Sequence, residues 1–211
     1  MTKNSATKEE LVREFRVREI LEAACRVVAR HGFQGATIDR VAEEAGIAKG
    51  TVYLYFHTKE ELLKAAVEQG IQTFTDQVRA AVEEVHAPLE KLCRLVDVSL
   101  KLSDVHRDFF KTLFLERNFL AAAPDHPEAA HMLELYLTHI RFIETLIQAG
   151  VNAGILRPHN VEASAFALNE AIRGCFQQRA LGLTARAAGE DADILLDLFF
   201  HGVLLNHRQQ Q

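Results

Sequence analysis

Cysteine is scarce in this 211-residue chain: Cys25, Cys93 and Cys175 stand far apart, each in an apolar helical context. That spacing argues against a disulfide framework or a cysteine metal cluster and leaves buried free thiols as the expectation. Long apolar runs are missing too. No stretch reaches the ~18 residues of a membrane span, and the start, MTKNSATKEE, has no apolar signal-peptide core. A cytoplasmic protein without a membrane partner is expected. Strand-length alternation, internal repeats and low-complexity linkers are absent as well, so the elements left are helices. There is no glycine-rich phosphate loop after a strand and no nucleophile elbow. The 10 histidines include no pair at the i, i+4 step of a helical metal site. His126 and His131 straddle a helix start, and His131 with Glu134 shares a face but has no cysteine nearby. No enzyme, no metal and no cofactor is therefore expected.

What the chain does have is 48% hydrophobic residues, enough to bury a real core, and a net charge of −5 that is unevenly spread. Residues 1–64 hold 11 Lys and Arg against 10 Asp and Glu, net +1; residues 65–211 hold 13 against 19, net −6. A polyanion would meet the front, through local placement of cations rather than a broad field.

The front carries two short helical patterns in tight succession. Ile38, Val41, Ala42 and Ala45 repeat at helical spacing with Asp39, Arg40, Glu43 and Glu44 opposite. Gly46 supplies a left-handed stop and Ile47 an apolar plug. A second helix over Lys49–Phe56 begins within three residues, and so short a link allows only a sharply crossed pair, a helix-turn-helix. Lys49, Gly50, Thr51, Tyr53 and Tyr55 give the second helix a donor-rich surface without an acid, while Val52 and Phe56 anchor its other face. Thr58 with Glu61 makes a capping box that opens the next helix beside Lys59, a combination of free amides and a cation suited to phosphate.

At these residues the chain resembles the tetracycline-repressor (TetR) family of bacterial transcription regulators. The match runs over about the first third: Ile20-Leu21-x-Ala23-Ala24, His31-Gly32-Phe33, Thr37, Val41-Ala42, Ala45-Gly46-Ile47, Lys49-Gly50-Thr51-Val52-Tyr53, Tyr55-Phe56 and Lys59-Glu60-x-Leu62. The resemblance implies that Thr37, Lys49, Thr51, Tyr53, Tyr55 and Lys59 face a double-stranded DNA operator and that Gly50 lets the backbone approach it. Ala48 departs from the serine common there, and its missing capping oxygen costs roughly 1 kcal/mol.

Around this pair, Ile20, Ala23, Ala24, Val27 and Val28 mark the buried face of a bracing helix over Leu11–Arg30, closed by His31-Gly32-Phe33. Thr7 with Glu10 forms another capping box. Lys3, Lys8, Arg13, Arg16 and Arg18 near this end suit flanking phosphates or a minor groove, and the interleaved Glu9, Glu10, Glu14 and Glu19 fit an ordinary solvated face equally well.

The expected division is a helix-turn-helix domain over residues 1–58 and a larger helical domain over 59–211 for ligand binding and dimerisation. A long helix over Glu60–Val82 leaves the head; Pro88 starts another; Ser103 or Asp104 caps a third, His106–Leu120; Pro124 and Pro127 break it. His131–Asn152 is apolar on nearly every side, and Gly154 and Pro158 end it. On the third of these helices His106, Phe110, Leu113, Phe114 and Arg117 share one face. They read as a pocket for an apolar or amphipathic small-molecule effector, with His139 and Arg141 as further lining, or else as a core stripe with snorkelling ends. Val161–Leu183 and Asp191–His207 each carry two apolar faces, so Phe166, Ile172, Phe176, Leu195, Phe199 and Val203 are expected at a homodimer interface, the alternative being burial inside one subunit. The resemblance likewise implies dimerisation through the last two helices and release of an operator on effector binding. A helical scaffold without DNA binding is the second reading.

Overall fold

The computed structural model describes residues 7–115 and 127–201. The described residues are all-helical, with no strand: α1 (Lys8–Gly35), α2 (Ile38–Ala45), α3 (Lys49–Tyr53), α4 (Lys59–Glu83), α5 (Pro88–Val105), α6 (Arg107–Leu115), α7 (Pro127–Asn152), α8 (Val161–Ala180) and α9 (Ala188–His201). The chain divides into two compact units, Met1–Thr73 with Asp108–Ala129, and Phe74–Arg107 with Ala130–Gln211. No described helix is long and apolar enough to cross a membrane.

In the first unit α1 opens on the Thr7 box: the Thr7 hydroxyl accepts from the Glu10 amide at 3.2 Å and the Glu10 carboxylate takes the Thr7 amide at 2.7 Å. Those bonds hold the Glu10 carboxyl below its usual range, the backbone one foremost. The helix breaks at Gly32 (φ 67°, ψ 174°), where the sequence places the stop, and one further turn carries Phe33, 1% exposed, into the core. That core is Ile20, Ala23, Ala24, Val27 and Val28 of α1 with Val41 of α2, Val52 of α3 and Leu62, Leu63, Ala66 and Val67 of α4. Across it the Cys25 thiol donates to the Ala66 carbonyl at 3.0 Å, and burial pushes that thiol up to about 12, so it is inert at neutral pH. The three thiols are free; each is half-buried rather than fully buried.

α6 contributes Phe109 and Leu113 to the first unit. The tip of the Phe109 ring lies against α4 at Gly70, where an added side chain would meet it.

In the second unit α5 packs against α8 and α9, and α8 against α9. Leu92, Leu95, Val96 and Leu100 of α5 meet Ile140, Ile143 and Ile147 of α7, Leu168 and Ile172 of α8 and Ala192 and Leu195 of α9. Two of the expected boundaries move. Neither Ser103 nor Asp104 caps the following helix: α5 runs on to Val105, the Ser103 hydroxyl donates back to the Ser99 carbonyl at 2.6 Å, and Asp104 accepts from Arg107 at 3.3 Å and Arg179 at 3.1 Å. Both side chains are engaged in ways that keep the backbone helical. α7 begins at Pro127, not His131, because proline's missing N–H and fixed φ suit a first turn. The second unit also buries a charge network. Arg179 and Asp191, whose side chains are 3% and 1% exposed, pair directly; Arg179 also donates to the Leu100 carbonyl at 3.3 Å, and Arg186 reaches Asp191 at 2.6 Å.

Candidate nucleic-acid interface

Thr37 opens α2 from extended backbone (φ −117°, ψ 156°), its hydroxyl accepting from the Arg40 amide at 3.3 Å. Gly46 closes it at φ 67°, ψ 31°, a conformation that suits glycine; the Gly46 and Ile47 amides return to the Glu43 and Ala42 carbonyls at 3.1 and 3.0 Å. That crossed-bond ending turns the chain sharply, and three residues later α3 begins. Ala48 stands at its N-cap with no side-chain bond, as the composition requires. α3 is shorter than its apolar anchors imply. Regular helix stops at Tyr53, and the chain tightens: Leu54 and Tyr55 donate three residues back, at 3.2 and 3.0 Å, before Phe56 bonds to Val52.

The side chains divide as the spacing demands. Val52 and Phe56 are buried, Tyr53 is 44% exposed, Lys49 and Gly50 are exposed, and Thr51 and Tyr55 are half-buried. A Cβ built at Gly50 meets nothing within 4 Å, and its φ is ordinary, so the fold itself does not require glycine there. Thr58 accepts from the Glu61 amide at 3.0 Å, but the Glu61 carboxylate takes the amide of His57, not of Thr58, at 2.8 Å, so the box is displaced by one residue.

Electrostatics that the sequence did not reveal surround this surface. The Lys49 ammonium donates to Asp39 of α2 at 2.9 Å, and that bond holds Lys49 above its usual range. Lys59 donates to the Gln34 carbonyl at 3.2 Å, and Arg40 to that of Gly35. Arg26 and Arg30 clamp Glu44 at 2.7 and 2.6 Å, fixing α2 on α1; their hydrogen bonds, Arg26 first, hold the Glu44 carboxyl low. Arg26 and Arg30 stand four apart on one face, a spacing that pairs them with each other but does not point to Glu44.

The expected effector residues fall in both units. Phe110, Leu113 and Phe114 belong to the first, where Leu113 is buried, the other two are half-buried, and the Phe109 and Phe110 rings meet edge to face at 5.4 Å. His106 and His139 are half-buried in the second; His139 is pushed down to about 4, by burial first and by Arg79 second, and Arg79 itself lies 4.7 Å over the Phe142 ring. Arg141 is exposed and paired with Glu134 at 2.9 Å. Arg117 lies outside the described residues, as does Val203 of the interface set.

Of the remaining interface residues, Ile172, Phe176 and Leu195 are buried in their own unit at 7–8% exposure, and Phe199 packs partly on the same core. Packed on their own core, these four have less surface to offer a second copy than residues on the outward faces. Phe166 of α8 is 51% exposed, and Ile194 and Leu198 of α9 are 45% and 44% exposed. Among the described residues, no group of three or more His, Cys, Asp or Glu could hold a metal ion.

A family model described as bacterial regulatory proteins, tetR family, matches residues 20–66. The uncharacterized HTH-type transcriptional regulator YfiR of Bacillus subtilis is 30% identical over 154 residues, 72% of either chain. Among solved structures, the transcriptional regulator FadR from Bacillus subtilis in complex with stearoyl-CoA aligns at TM-score 0.74 and 18% identity, covering 89% of this chain and 99% of that one. AibR in complex with isovaleryl coenzyme A and operator DNA aligns at 0.65 and 21%, covering 88% and 98%.

Proposed function

Because the chain belongs to the tetR family of bacterial regulatory proteins, and is a DNA-binding transcription regulator and not an enzyme, we propose that it works as a homodimeric repressor. Its two heads read a palindromic operator, and a small apolar or amphipathic ligand releases them. The observation that carries this reading is α3: a helix without an acid, its anchors buried, its tyrosine exposed, and open space above Gly50. In this reading Thr51 and Tyr53 read base edges, while Thr37, Tyr55 and Lys59 hold phosphates. The nearness of Asp39 sets Lys49 as a cation that exchanges a carboxylate for a phosphate.

One α3 reads a few base pairs; a two-fold pair reads half-sites about one turn, ~34–36 Å, apart. Phe166 of α8 with Ile194 and Leu198 of α9 form the exposed apolar face that a second copy covers in this reading. The effector enters the helical body and releases DNA by binding more tightly to the non-binding shape. Acyl-CoA thioesters, held by two structural neighbours, are the first class to try.

Gly50→Ala tests the head. The added methyl meets nothing in the protein, so thermal stability holds or rises slightly, whereas a DNA backbone pressed against the glycine is displaced and duplex affinity falls at least about tenfold in a mobility-shift assay. Unchanged affinity for a duplex enriched by the wild-type protein from a random pool overturns the assignment of α3. Stearoyl-CoA and isovaleryl-CoA, added to the bound complex, test the second half: release by either supports it, and a bound complex indifferent to acyl thioesters, fatty acids and apolar amines overturns it.

A further inference from the structure

Tyr55 sits at the end of the α3 turn, and against it, in the same unit, lies a feature the helix-turn-helix does not use. The first turns of α1 and the α3 exit enclose an open groove of about 650 Å³ lined by Lys8, Glu9, Val12, Arg13, Leu54 and Tyr55. Lys8, Glu9, Val12 and Arg13 stand at i, i+1, i+4 and i+5, one face of α1. Two contrasts single them out. Between residues 7 and 63, Arg16, Arg26, Arg30, Arg40, Lys49 and Lys59 each already hold an acid or a carbonyl. Lys8, Arg13 and Arg18 have no such partner among the described residues, and Arg18 lies off the groove face. Apolar groups are left open beside these cations as well: Val12 is 56% exposed and Leu54 75%. The Thr7–Glu10 box meanwhile keeps the first turn of α1 formed and occupies Glu10 within it, so Lys8 and Arg13 are displayed on helix rather than on a loose arm.

We propose that this groove is a sugar-phosphate seat for the strand of duplex DNA flanking the half-site read by α3. Lys8 and Arg13 take two successive phosphates, and Val12 and Leu54 pack on the apolar face of the deoxyribose between them. Tyr55 joins the seat to the recognition surface, so one strand passes continuously from one to the other. Two cations with no partner among the described residues, set over an apolar floor, match an alternating anionic and apolar chain, and the seat is continuous with the surface proposed for the operator. Glu9 on the rim opposes the strand and moderates the affinity. This inference rests on the DNA-binding reading above and extends it: the footprint is longer than the bases read, and the flank contributes affinity without sequence preference.

The test uses the full-length protein and a duplex enriched by the wild-type chain from a random pool, made in two lengths, one ending at the half-sites and one carrying six to eight further base pairs on each side, a length chosen as roughly what two phosphates per end require. Affinities are measured by fluorescence anisotropy at salt concentrations from roughly 50 to 200 mM. Wild type should prefer the long duplex, with a steeper salt dependence. A Lys8→Ala, Arg13→Ala double variant should lose about two units of log-log salt slope per protomer on the long duplex and bind it at least about tenfold more weakly at low salt, while its affinity for the short duplex stays within about twofold. Glu9→Gln should do the opposite, tightening the long duplex alone. All three residues are exposed, and circular dichroism confirms that the variants fold. Equal wild-type affinity for both lengths, or a double variant with an unchanged salt slope on the long one, overturns the seat and leaves the reading of α3 intact. Failure of the wild type to enrich any duplex overturns that reading instead.

Discussion

Gly70 of α4 and Phe109 of α6 offer the sharpest energetic test of the first unit. A Cβ added at Gly70 would stand 2.5 Å from Phe109 Cζ, 2.9 Å from Cε1 and 3.3 Å from Cε2. The ring tip of a surface phenylalanine would swing away, but Phe109 is 7% exposed and its neighbours hold it. Two effects oppose each other in Gly70→Ala. Alanine within a helix gains about 1 kcal/mol over glycine, and overpacking a filled site costs about 1–3 kcal/mol. The net in the wild-type background is a loss of roughly 0–2 kcal/mol. Phe109→Leu removes the three atoms that clash, at its own cost of about 1–2 kcal/mol for lost packing. In that background only the helix gain remains, so Gly70→Ala should stabilise by up to about 1 kcal/mol. Urea unfolding of the four proteins, at one fixed protein concentration because association shifts midpoints, yields the coupling directly, about 1–3 kcal/mol with a change of sign. If Gly70→Ala has the same sign and size in both backgrounds, the ring does not rest on that glycine and the packing of α6 on α4 is misread.

Three further outcomes follow from the geometry. Asp39→Asn releases Lys49 from its ion pair, so duplex binding should tighten and the log-log salt slope steepen by about one per protomer; weaker binding in anisotropy titrations refutes the exchange of carboxylate for phosphate. Arg179→Met leaves the buried Asp191 carboxylate with Arg186 alone and should cost about 3–5 kcal/mol in chemical denaturation, against at most about 1 for Arg173→Ala, whose Glu170 pair is exposed; equal costs would remove the network from the account of stability. His139, lowered from 6.5 to about 4, stays neutral in the folded chain while the unfolded chain takes up a proton below about 6.5. Stability is therefore lost as pH falls from 6.5 towards 4, by up to about 3 kcal/mol, and His139→Leu should flatten that decline; parallel pH profiles for the two proteins would show that the side chain is solvated.

The reading pair was legible because each of its signals is local. Gly46 lies in the left-handed region next to an apolar residue, Val52 and Phe56 stand four apart, and Thr37 and Thr58 accept from amides three residues on; none of these depends on a distant part of the chain. The misses have the opposite character. Arg179 meets Asp191 12 residues on and Asp104 75 residues back, and no periodicity relates positions so far apart. Ser103 and Asp104 looked like caps because their side chains suit one; within a long helix the serine bonds to the turn before it and the aspartate is taken by two arginines, and both choices outcompete a helix start. The two-faced helices α8 and α9 were recognised as such, yet hydrophobicity alone does not say which face turns inward. Packing does: Ile172 and Leu195 fill a core made by α5 and α7, and Phe166, Ile194 and Leu198 are what that core leaves over.

The charge of the head gains a different meaning once its pairs are known. A net of +1 over residues 1–64 suggests weak attraction for DNA spread over 11 cations, but most of those described are already engaged within the protein. When DNA takes Lys49 or Lys59, an internal contact to Asp39 or to the Gln34 carbonyl is given up, so each contributes only the difference between two partners. Exposed pairs of this kind differ by at most about 1 kcal/mol. On the proposed reading the recognition surface proper is thus nearly neutral in its electrostatic balance, and discrimination there would fall to hydrogen bonds from Thr51 and Tyr53 and to the close approach at Gly50. Cations with no partner among the described residues would bring the full release of counterions to the proposed seat, and on the groove face these are Lys8 and Arg13. In this arrangement the salt-dependent part of binding sits on α1 and the sequence-dependent part on α3, so the two should be separable by mutation, one changing the salt slope at constant preference and the other changing preference at constant slope.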